Sequence, residues 1–158
     1  MKRRGFTLIE MLVVLAILAS LAQLALPAAQ LVVQRAKEQQ LRTALRDIRT
    51  ALDRYHEASF AGRIKRNVDD SGYPPHLRAL VEGVPDQSDP EGKRRLYFLR
   101  HIPSDPFAEG EPSSDAQLSW GVRSYASEPD EPRQGDDVYD VYSRSERMGL
   151  NGVPYRQW

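Results

Sequence analysis

FTLIEMLVVLAILASLAQLAL, residues 6–26, is the stretch that decides the fold of this chain. All of its residues are apolar except Thr7, Glu10, Ser20 and Gln23. A helix of this length, at about 1.5 Å per residue, is about 31 Å long and matches the hydrocarbon core of a bilayer. A basic run, residues 2–4, precedes it, and positive charges stay on the cytoplasmic side. The sequence therefore predicts a membrane helix with the rest of the chain across the membrane.

A secretory signal peptide and a simple membrane anchor are the two plain alternatives for this stretch. The apolar run is longer than a typical signal-peptide core, and residues 25–29 make a poor cleavage site. Neither alternative explains Glu10, because a carboxylate inside a membrane helix is costly and is usually paired. We therefore expect the Glu10 carboxylate to have a partner.

KRRGFTLIE, residues 2–10, resembles the prepilin signal of type IV pilins and type II secretion pseudopilins. In that family a membrane-embedded prepilin peptidase removes a short basic leader after its glycine and methylates the new N-terminal residue. The resemblance implies cleavage between Gly5 and Phe6 and N-methylation of Phe6. It also implies that Glu10 of one subunit neutralises the Phe6 amine of its neighbour in a filament. Glu10 could equally interact with the dipole of its own helix, and the two roles are compatible.

Pro27 follows the apolar run, and the family has a proline here too. Proline removes a helical hydrogen bond and clashes with the preceding turn, which predicts a bend or a loosened helix near residues 23–27. An ordinary helix break at the membrane surface is the alternative. Beyond Pro27, apolar residues with helical spacing predict an amphipathic helix to residue 58, with one stripe buried under a sheet. The stripe comprises Leu41, Leu45, Ile48, Leu52 and Tyr55.

The charges of the chain are unevenly distributed although they cancel overall, with 22 basic and 22 acidic residues. Residues 1–66 carry 12 basic and 5 acidic residues, and residues 67–158 carry 10 and 17. The basic helix face could indicate DNA binding, but aromatic residues are not interleaved with the charges. We therefore expect no nucleic-acid partner and a solvated face that meets acidic surfaces of sister subunits. This face comprises Arg35, Lys37, Arg42, Arg46 and Arg49.

Short motifs in the second half of the chain sharpen the resemblance. YP at residues 73–74, LRALV at 77–81, IPSDPF at 102–107 and DVYS at 140–143 are similar to the major pseudopilin of type II secretion. A short helix is predicted near residues 75–83, and alternating apolar residues predict strands over 117–125 and 138–143. The fold class is predicted to be α+β. The expected architecture is that of a pilin-like ladle, in which the second half of one long N-terminal helix packs on a small antiparallel sheet.

The resemblance divides the chain into four parts. These are a leader peptide (1–5), a transmembrane and assembly helix (6–27), an amphipathic helix (28–58) and a region of loops, small sheet and C-terminal loop (59–158).

The family binds calcium in its C-terminal loop, through Asp side chains and backbone carbonyls. Calcium needs 6–8 oxygen ligands, whereas residues 143–152 contain one carboxylate and two arginines, and the family's spacing is missing. No cofactor is therefore predicted, and calcium stays open as an alternative. The possible oxygen donors are Asp136, Asp137, Asp140, Glu146 and Asn151.

Catalytic motifs are missing from the sequence. It contains no Cys, its three His have no metal-ligand spacing, and no G-x-S-x-G, H-E-x-x-H or phosphate-binding loop occurs. The chain is therefore predicted not to be an enzyme, and a membrane-anchored periplasmic hydrolase is the remote alternative.

The resemblance implies a structural subunit of the type II secretion pseudopilus, polymerising through its N-terminal helix to drive protein export across the outer membrane. Its expected partners are copies of itself, other pseudopilins, the prepilin peptidase and the inner-membrane assembly platform. It is expected to cross the bacterial inner membrane once, with the C-terminal domain in the periplasm. The alternatives are a type IV pilus pilin, major or minor, and a DNA-uptake pseudopilin, because all share the N-terminal motif.

Overall fold

The computed structural model describes residues 6–108, 115–128 and 130–158, without the side chains of residues 24–26 and 28. In chain order its elements are α1 (Leu8–Phe60), α2 (Ala79–Glu82), β1 (Val84–Pro85), β2 (Arg95–Leu96), β3 (Trp120–Arg123) and β4 (Asp140–Ser143). Two short 3₁₀ helices occupy Ala116–Ser119 and Tyr155–Gln157. The α+β class is confirmed. The chain forms two compact units, which meet in sequence between Ala36 and Lys37.

α1 passes through Pro27 without interruption. Because proline has no N–H group, the carbonyl of Gln23 lacks its usual helical donor at this turn. Helix formers dominate both flanks, and the helix is assigned continuously. The break at Pro27 is therefore not found, and the bend stays a prediction.

The predicted apolar stripe of α1 is buried, as expected, and forms the centre of the second unit. Leu41 and Ile48 are fully buried, and alanines on the same face let other elements approach closely. Trp120 and Val141, from β3 and β4, belong to the same core. Burying a large aliphatic side chain contributes about 1.5–3 kcal/mol, so this stripe is the main source of stability in the unit.

The sheet structure differs from the single small sheet that was predicted. β1 pairs with β2 and β3 pairs with β4, giving two separate antiparallel pairs. The strands of the second pair were predicted at the right place but are shorter than expected, since Ala116–Ser119 forms a 3₁₀ turn. The β1–β2 pair was not predicted from the sequence. Strands of two residues carry too little alternation for their pairing to be recognised from sequence.

The motif at residues 102–107 ties the β3–β4 pair to the C-terminal segment. The Trp120 indole N–H donates to the Pro103 carbonyl at 2.8 Å. The buried Asp105 carboxylate accepts from the Ser143 hydroxyl at 2.6 Å, and Phe107 stacks on Tyr155 with 4.0 Å between ring centroids. The motif therefore supplies one carbonyl, one carboxylate and one ring, each to a different partner.

Asp86 fastens the β1–β2 pair to the chain that follows α1. Its fully buried carboxylate accepts from Arg63 Nη2 at 2.7 Å, from Arg94 Nε at 2.9 Å and from the Ser88 hydroxyl at 2.7 Å. The hydrogen bonds from Arg63 and then from Ser88 hold the pKa of Asp86 well below its ordinary value. The ionised form is thus the one that the fold requires.

We expect Ile48→Ala to lower the free energy of unfolding by about 2–5 kcal/mol, because it leaves a cavity at a fully buried position. Thr50→Ala, at an exposed position of the same turn, should change it by less than about 0.5 kcal/mol. Denaturant unfolding of the full chain in detergent micelles, followed by tryptophan fluorescence, measures both. Equal effects of the two substitutions would contradict the assignment of the stripe.

The pH dependence of stability provides a test of Asp86. Since the pKa of Asp86 is lower in the folded state, its contribution is complete above the unfolded-state pKa of about 3.9 and is lost as the pH falls toward the folded-state pKa. Asp86→Asn should therefore lower the thermal midpoint at pH 7, and the gap to the original protein should narrow below about pH 4. A gap that is unchanged between pH 7 and pH 3 would refute this role.

Candidate functional site

The described part of α1 before Pro27 exposes apolar side chains in every direction. Every residue from 6 to 23 is exposed, and Phe6 and Leu8 have 79% and 78% of their surface accessible. A helix that is apolar on all sides requires an apolar surrounding, either lipid or other helices. This surface can therefore serve for insertion or for assembly.

Taking only the described residues, no helix combines the length and the apolar character needed to cross a membrane.

Thr7 and Glu10 form a capping box at the start of α1. The Thr7 backbone N–H and hydroxyl donate to Glu10 Oε2 at 2.9 and 3.1 Å, and the Glu10 N–H donates to the Thr7 hydroxyl at 3.3 Å. This reciprocal pattern satisfies two helical N–H groups that would otherwise lack partners. The intramolecular alternative for Glu10 is thus realised in the single subunit, as hydrogen bonding in addition to the dipole. The Thr-x-x-Glu spacing was a readable signal for it that the sequence analysis missed.

The predicted processing and assembly residues are only partly described by the structure. Gly5 lies outside the described residues, whereas Phe6 is exposed one residue before the capping box. Pro27 is exposed within the continuous helix. Of the described residues Phe6 and Pro27, neither bonds to the Glu10 carboxylate, whose partners are groups of Thr7.

Four of the five residues of the basic face are exposed, as expected, and three of the five also contact the C-terminal region or the ring of Phe107. Arg42 lies over the Trp158 ring at 4.5 Å, and Lys37 lies over the Phe107 ring at 5.9 Å. Arg49 donates to Asp140 Oδ1 at 2.8 Å. These positions border the buried stripe, so their long side chains can reach over the neighbouring segments while their stems pack on apolar surface.

Arg49 also donates to two backbone oxygens. Its Nη2 lies 2.8 Å from the Trp158 oxygen and 3.1 Å from the Val141 carbonyl. One guanidinium therefore joins α1 to β4 and to the C-terminal segment. The planar guanidinium suits this, since its Nε and Nη2 atoms donate from separate positions, Nε to the Asp140 carboxylate and Nη2 to the two backbone oxygens.

Glu38 is a buried carboxylate that the sequence analysis did not identify. Its Oε1 accepts from the Leu150 N–H at 2.8 Å and from the Tyr155 hydroxyl at 3.0 Å. A signal existed, because Glu38 lies three residues before Leu41 and continues the apolar stripe by one step. A charged residue at a stripe position indicates a partner in the segment that covers it.

The five oxygen donors considered for calcium are engaged separately or lie apart. Asp140 pairs with Arg49, Glu146 lies 3.8 Å from Arg156, and the Asn151 side chain accepts from the Val153 N–H. Within the described ranges, no three acidic or histidine side chains converge on a possible ion position.

Asp137 is held by hydroxyl and backbone donors. Burial opposes its ionisation, but hydrogen bonds from Ser124, from Ser71 and from the Tyr125 N–H outweigh burial and keep its pKa below the ordinary value. Asp136, beside it, is exposed.

The histidines of the chain occupy structural or exposed positions. His56 packs between Phe60 and Tyr73, with centroid distances of 4.5 and 4.4 Å. His76 Nδ1 accepts from the Ala79 N–H at the start of α2, and His101 is exposed.

Comparison with known proteins supplies two kinds of match. Residues 1–22 match the family model of the prokaryotic N-terminal methylation motif. The type II secretion system core protein G of Klebsiella pneumoniae is 30% identical over 156 residues, which cover 97% of this chain and 89% of that protein.

The protein of the same name from Pectobacterium carotovorum subsp. carotovorum is 30% identical over 109 residues. Here the alignment covers 67% of this chain and 63% of that protein, so the chain spans slightly less than two thirds of this relative. No solved structure matches significantly.

The methylation motif lies where the apolar helix begins, and the alignment to the Klebsiella protein extends over nearly the whole of this chain. The chain belongs to the family of type II secretion system core protein G, the major pseudopilins.

Proposed function

We propose that this pseudopilin polymerises through α1 into a filament that drives protein export across the outer membrane. The observation that carries the proposal is the apolar surface of residues 6–23, which is exposed on every side of the helix. Lipid can cover this surface before assembly, and the helices of sister subunits can cover it afterwards. Transfer between the two surroundings keeps the apolar area buried throughout.

The subunit is stored in the inner membrane, crosses it once at residues 6–27 and holds its second unit in the periplasm. The basic run at residues 2–4 supports this orientation, because cytoplasmic flanks carry the positive charges. The prepilin peptidase then cuts between Gly5 and Phe6 and methylates Phe6. The exposure of Phe6 in front of the first helical turn is compatible with access by an enzyme.

Glu10 acts twice in this scheme. In the single subunit its Oε2 atom closes the capping box, which leaves Oε1 available to a further donor. In the filament, the carboxylate neutralises the Phe6 amine that cleavage creates on a neighbouring copy. Because an unpaired charge in an apolar surrounding is costly, this pair favours one register between subunits.

The surfaces outside the membrane add a second attraction between neighbours. Residues 28–66, beyond the leader and the apolar helix, have 9 basic and 4 acidic residues, five more basic than acidic, whereas residues 67–158 have 10 and 17, seven more acidic than basic. Opposite charges on facing copies speed their encounter and disfavour wrong orientations. The partners of this scheme are sister copies, other pseudopilins and the inner-membrane assembly platform.

Deletion of the gene tests the proposed function directly. We expect loss of exoprotein secretion, with twitching motility and natural transformation retained. The original gene should restore secretion, whereas Gly5→Val should remain unprocessed and fail to restore it, since the peptidase must approach the backbone at this position. Loss of twitching or transformation instead would assign the chain to a pilus or an uptake system. Turnover of a substrate by the purified full chain would revive the enzyme alternative.

Substitutions at Glu10 and Thr7 separate charge pairing from helix capping. Glu10→Gln keeps an acceptor for the capping box but removes the charge, whereas Thr7→Ala weakens the box and keeps the charge. We expect Glu10→Ala and Glu10→Gln to lose their leader normally, yet to enter filaments about tenfold less or worse. Thr7→Ala should assemble nearly as the original protein does.

Mass spectrometry of the subunit measures leader removal, and immunoblotting of sheared filaments measures incorporation. Normal assembly of Glu10→Gln together with failure of Thr7→Ala would show that capping is the essential role and would refute the charge pair.

A further inference from the structure

The family resemblance implies a calcium ion in the C-terminal loop, and the residues of this chain do not fit one. Calcium requires 6–8 oxygen ligands and is usually held by several carboxylates. Between the end of β4 and Gly152, the only carboxylate is Glu146, whose side chain is 86% exposed and pairs with Arg156. Arg144 and Arg147, in the same loop, would repel a divalent cation.

In this chain a positively charged side chain, that of Arg49, lies among oxygens of the C-terminal region. The guanidinium of Arg49 collects three oxygens, Asp140 Oδ1, the Val141 carbonyl and the Trp158 backbone oxygen, at 2.8, 3.1 and 2.8 Å. One is an acidic side chain and two are backbone oxygens, from segments that are not adjacent in sequence. Carboxylate and carbonyl oxygens are also the ligands with which a loop would hold a bound cation. Here they accept hydrogen bonds from the directed N–H groups of a guanidinium.

A buried anion completes the attachment on the same helix. Glu38 Oε1 accepts from the Leu150 N–H and from the Tyr155 hydroxyl, and it lies three turns before Arg49 on α1. Glu38 thus holds the tip of the loop, and Arg49 holds its end. Between these two attachments, local hydrogen bonds hold the loop; the Gly149 N–H, for example, donates to the Val153 carbonyl at 3.0 Å.

We propose that Arg49 and Glu38 replace the calcium ion in this pseudopilin, so that its C-terminal segment reaches its folded state without calcium. The charges that fix the loop are carried by α1, and no metal has to be captured after export. The loop is therefore indifferent to the calcium concentration of the periplasm. This inference does not depend on the proposed function, because the loop could be calcium-independent whether or not the filament secretes proteins.

Calcium titration of the unchanged protein tests the proposal without any variant. The full chain in detergent micelles is treated with EGTA and then melted with no addition, with 5 mM CaCl₂ or with 5 mM MgCl₂, following tryptophan fluorescence. We expect the three midpoints to agree within about 1 °C. A folded-state site filled at about a hundred times its Kd would raise the midpoint by about 5–10 °C. A rise of that size with calcium and not with magnesium would overturn the proposal.

Variants of Arg49 test whether the guanidinium holds the loop. Arg49→Ala should lower the midpoint by about 3–8 °C and speed tryptic cleavage after Arg144 and Arg147, and calcium should not reverse either effect. Arg49→Lys should give an intermediate result, since one ammonium cannot reach all three oxygens. Arg46→Ala is the matched control, because it removes an exposed arginine one turn earlier and should leave both measurements unchanged.

Glu38→Gln provides a variant that keeps an acceptor at the buried position. Tryptic cleavage after Arg144 and Arg147 should rise less in this variant than in Arg49→Ala, and calcium should not change the cleavage rate. Cleavage rates are read by mass spectrometry at the individual bonds, which separates loosening of the loop from global unfolding. Unchanged cleavage in Arg49→Ala, or protection of that variant by calcium, would show that Arg49 is not the cation on which the loop depends.

Discussion

Residues 8–23 of α1 present apolar side chains on every side, and the need to cover this surface is the constraint from which the behaviour of the protein follows. The described chain leaves all of these residues exposed. Water is an unfavourable surrounding for such a helix, whereas lipid and other apolar helices are equally acceptable. A subunit with this helix can therefore move from membrane to filament with little change in buried apolar area. In the proposed filament, specificity then has to come from polar groups, and Glu10 is the group proposed for this role.

The capping box gives the Glu10 carboxylate a partner at an apolar helix end within the single subunit. Thr7 supplies two donors to one carboxylate oxygen, and the helix gains satisfied N–H groups in return. The carboxylate is thereby partly compensated in the single subunit. In the proposed filament, the Phe6 amine of a neighbour would add charge neutralisation to a side chain that is already oriented.

The second half of α1 organises the folded unit by presenting three kinds of side chain. Its apolar stripe makes the core with Trp120 and Val141. Glu38 and Arg49, on the border of the stripe, bind backbone and side-chain groups that lie 91–117 residues later in the chain. These long-range bonds join the start and the end of the unit, so its C-terminal segment depends on charges carried by the helix.

Local patterns in the sequence determined much of this protein. Apolar periodicities of 3.6 and 2 residues predict the stripe from Leu41 to Tyr55 and the strands around residues 120 and 141. These patterns, like the apolar run, can be recognised from neighbouring residues alone. The prepilin resemblance rests on nine consecutive residues and is equally local. Only the tertiary structure decided that β1 and β2 pair, that Asp86 is buried and that Arg49 and Glu38 hold the C-terminal segment. In the sequence an arginine on a basic face looks solvated. Its partners depend on the distant oxygens that the packed core brings into hydrogen-bonding distance, and no local pattern contains that information.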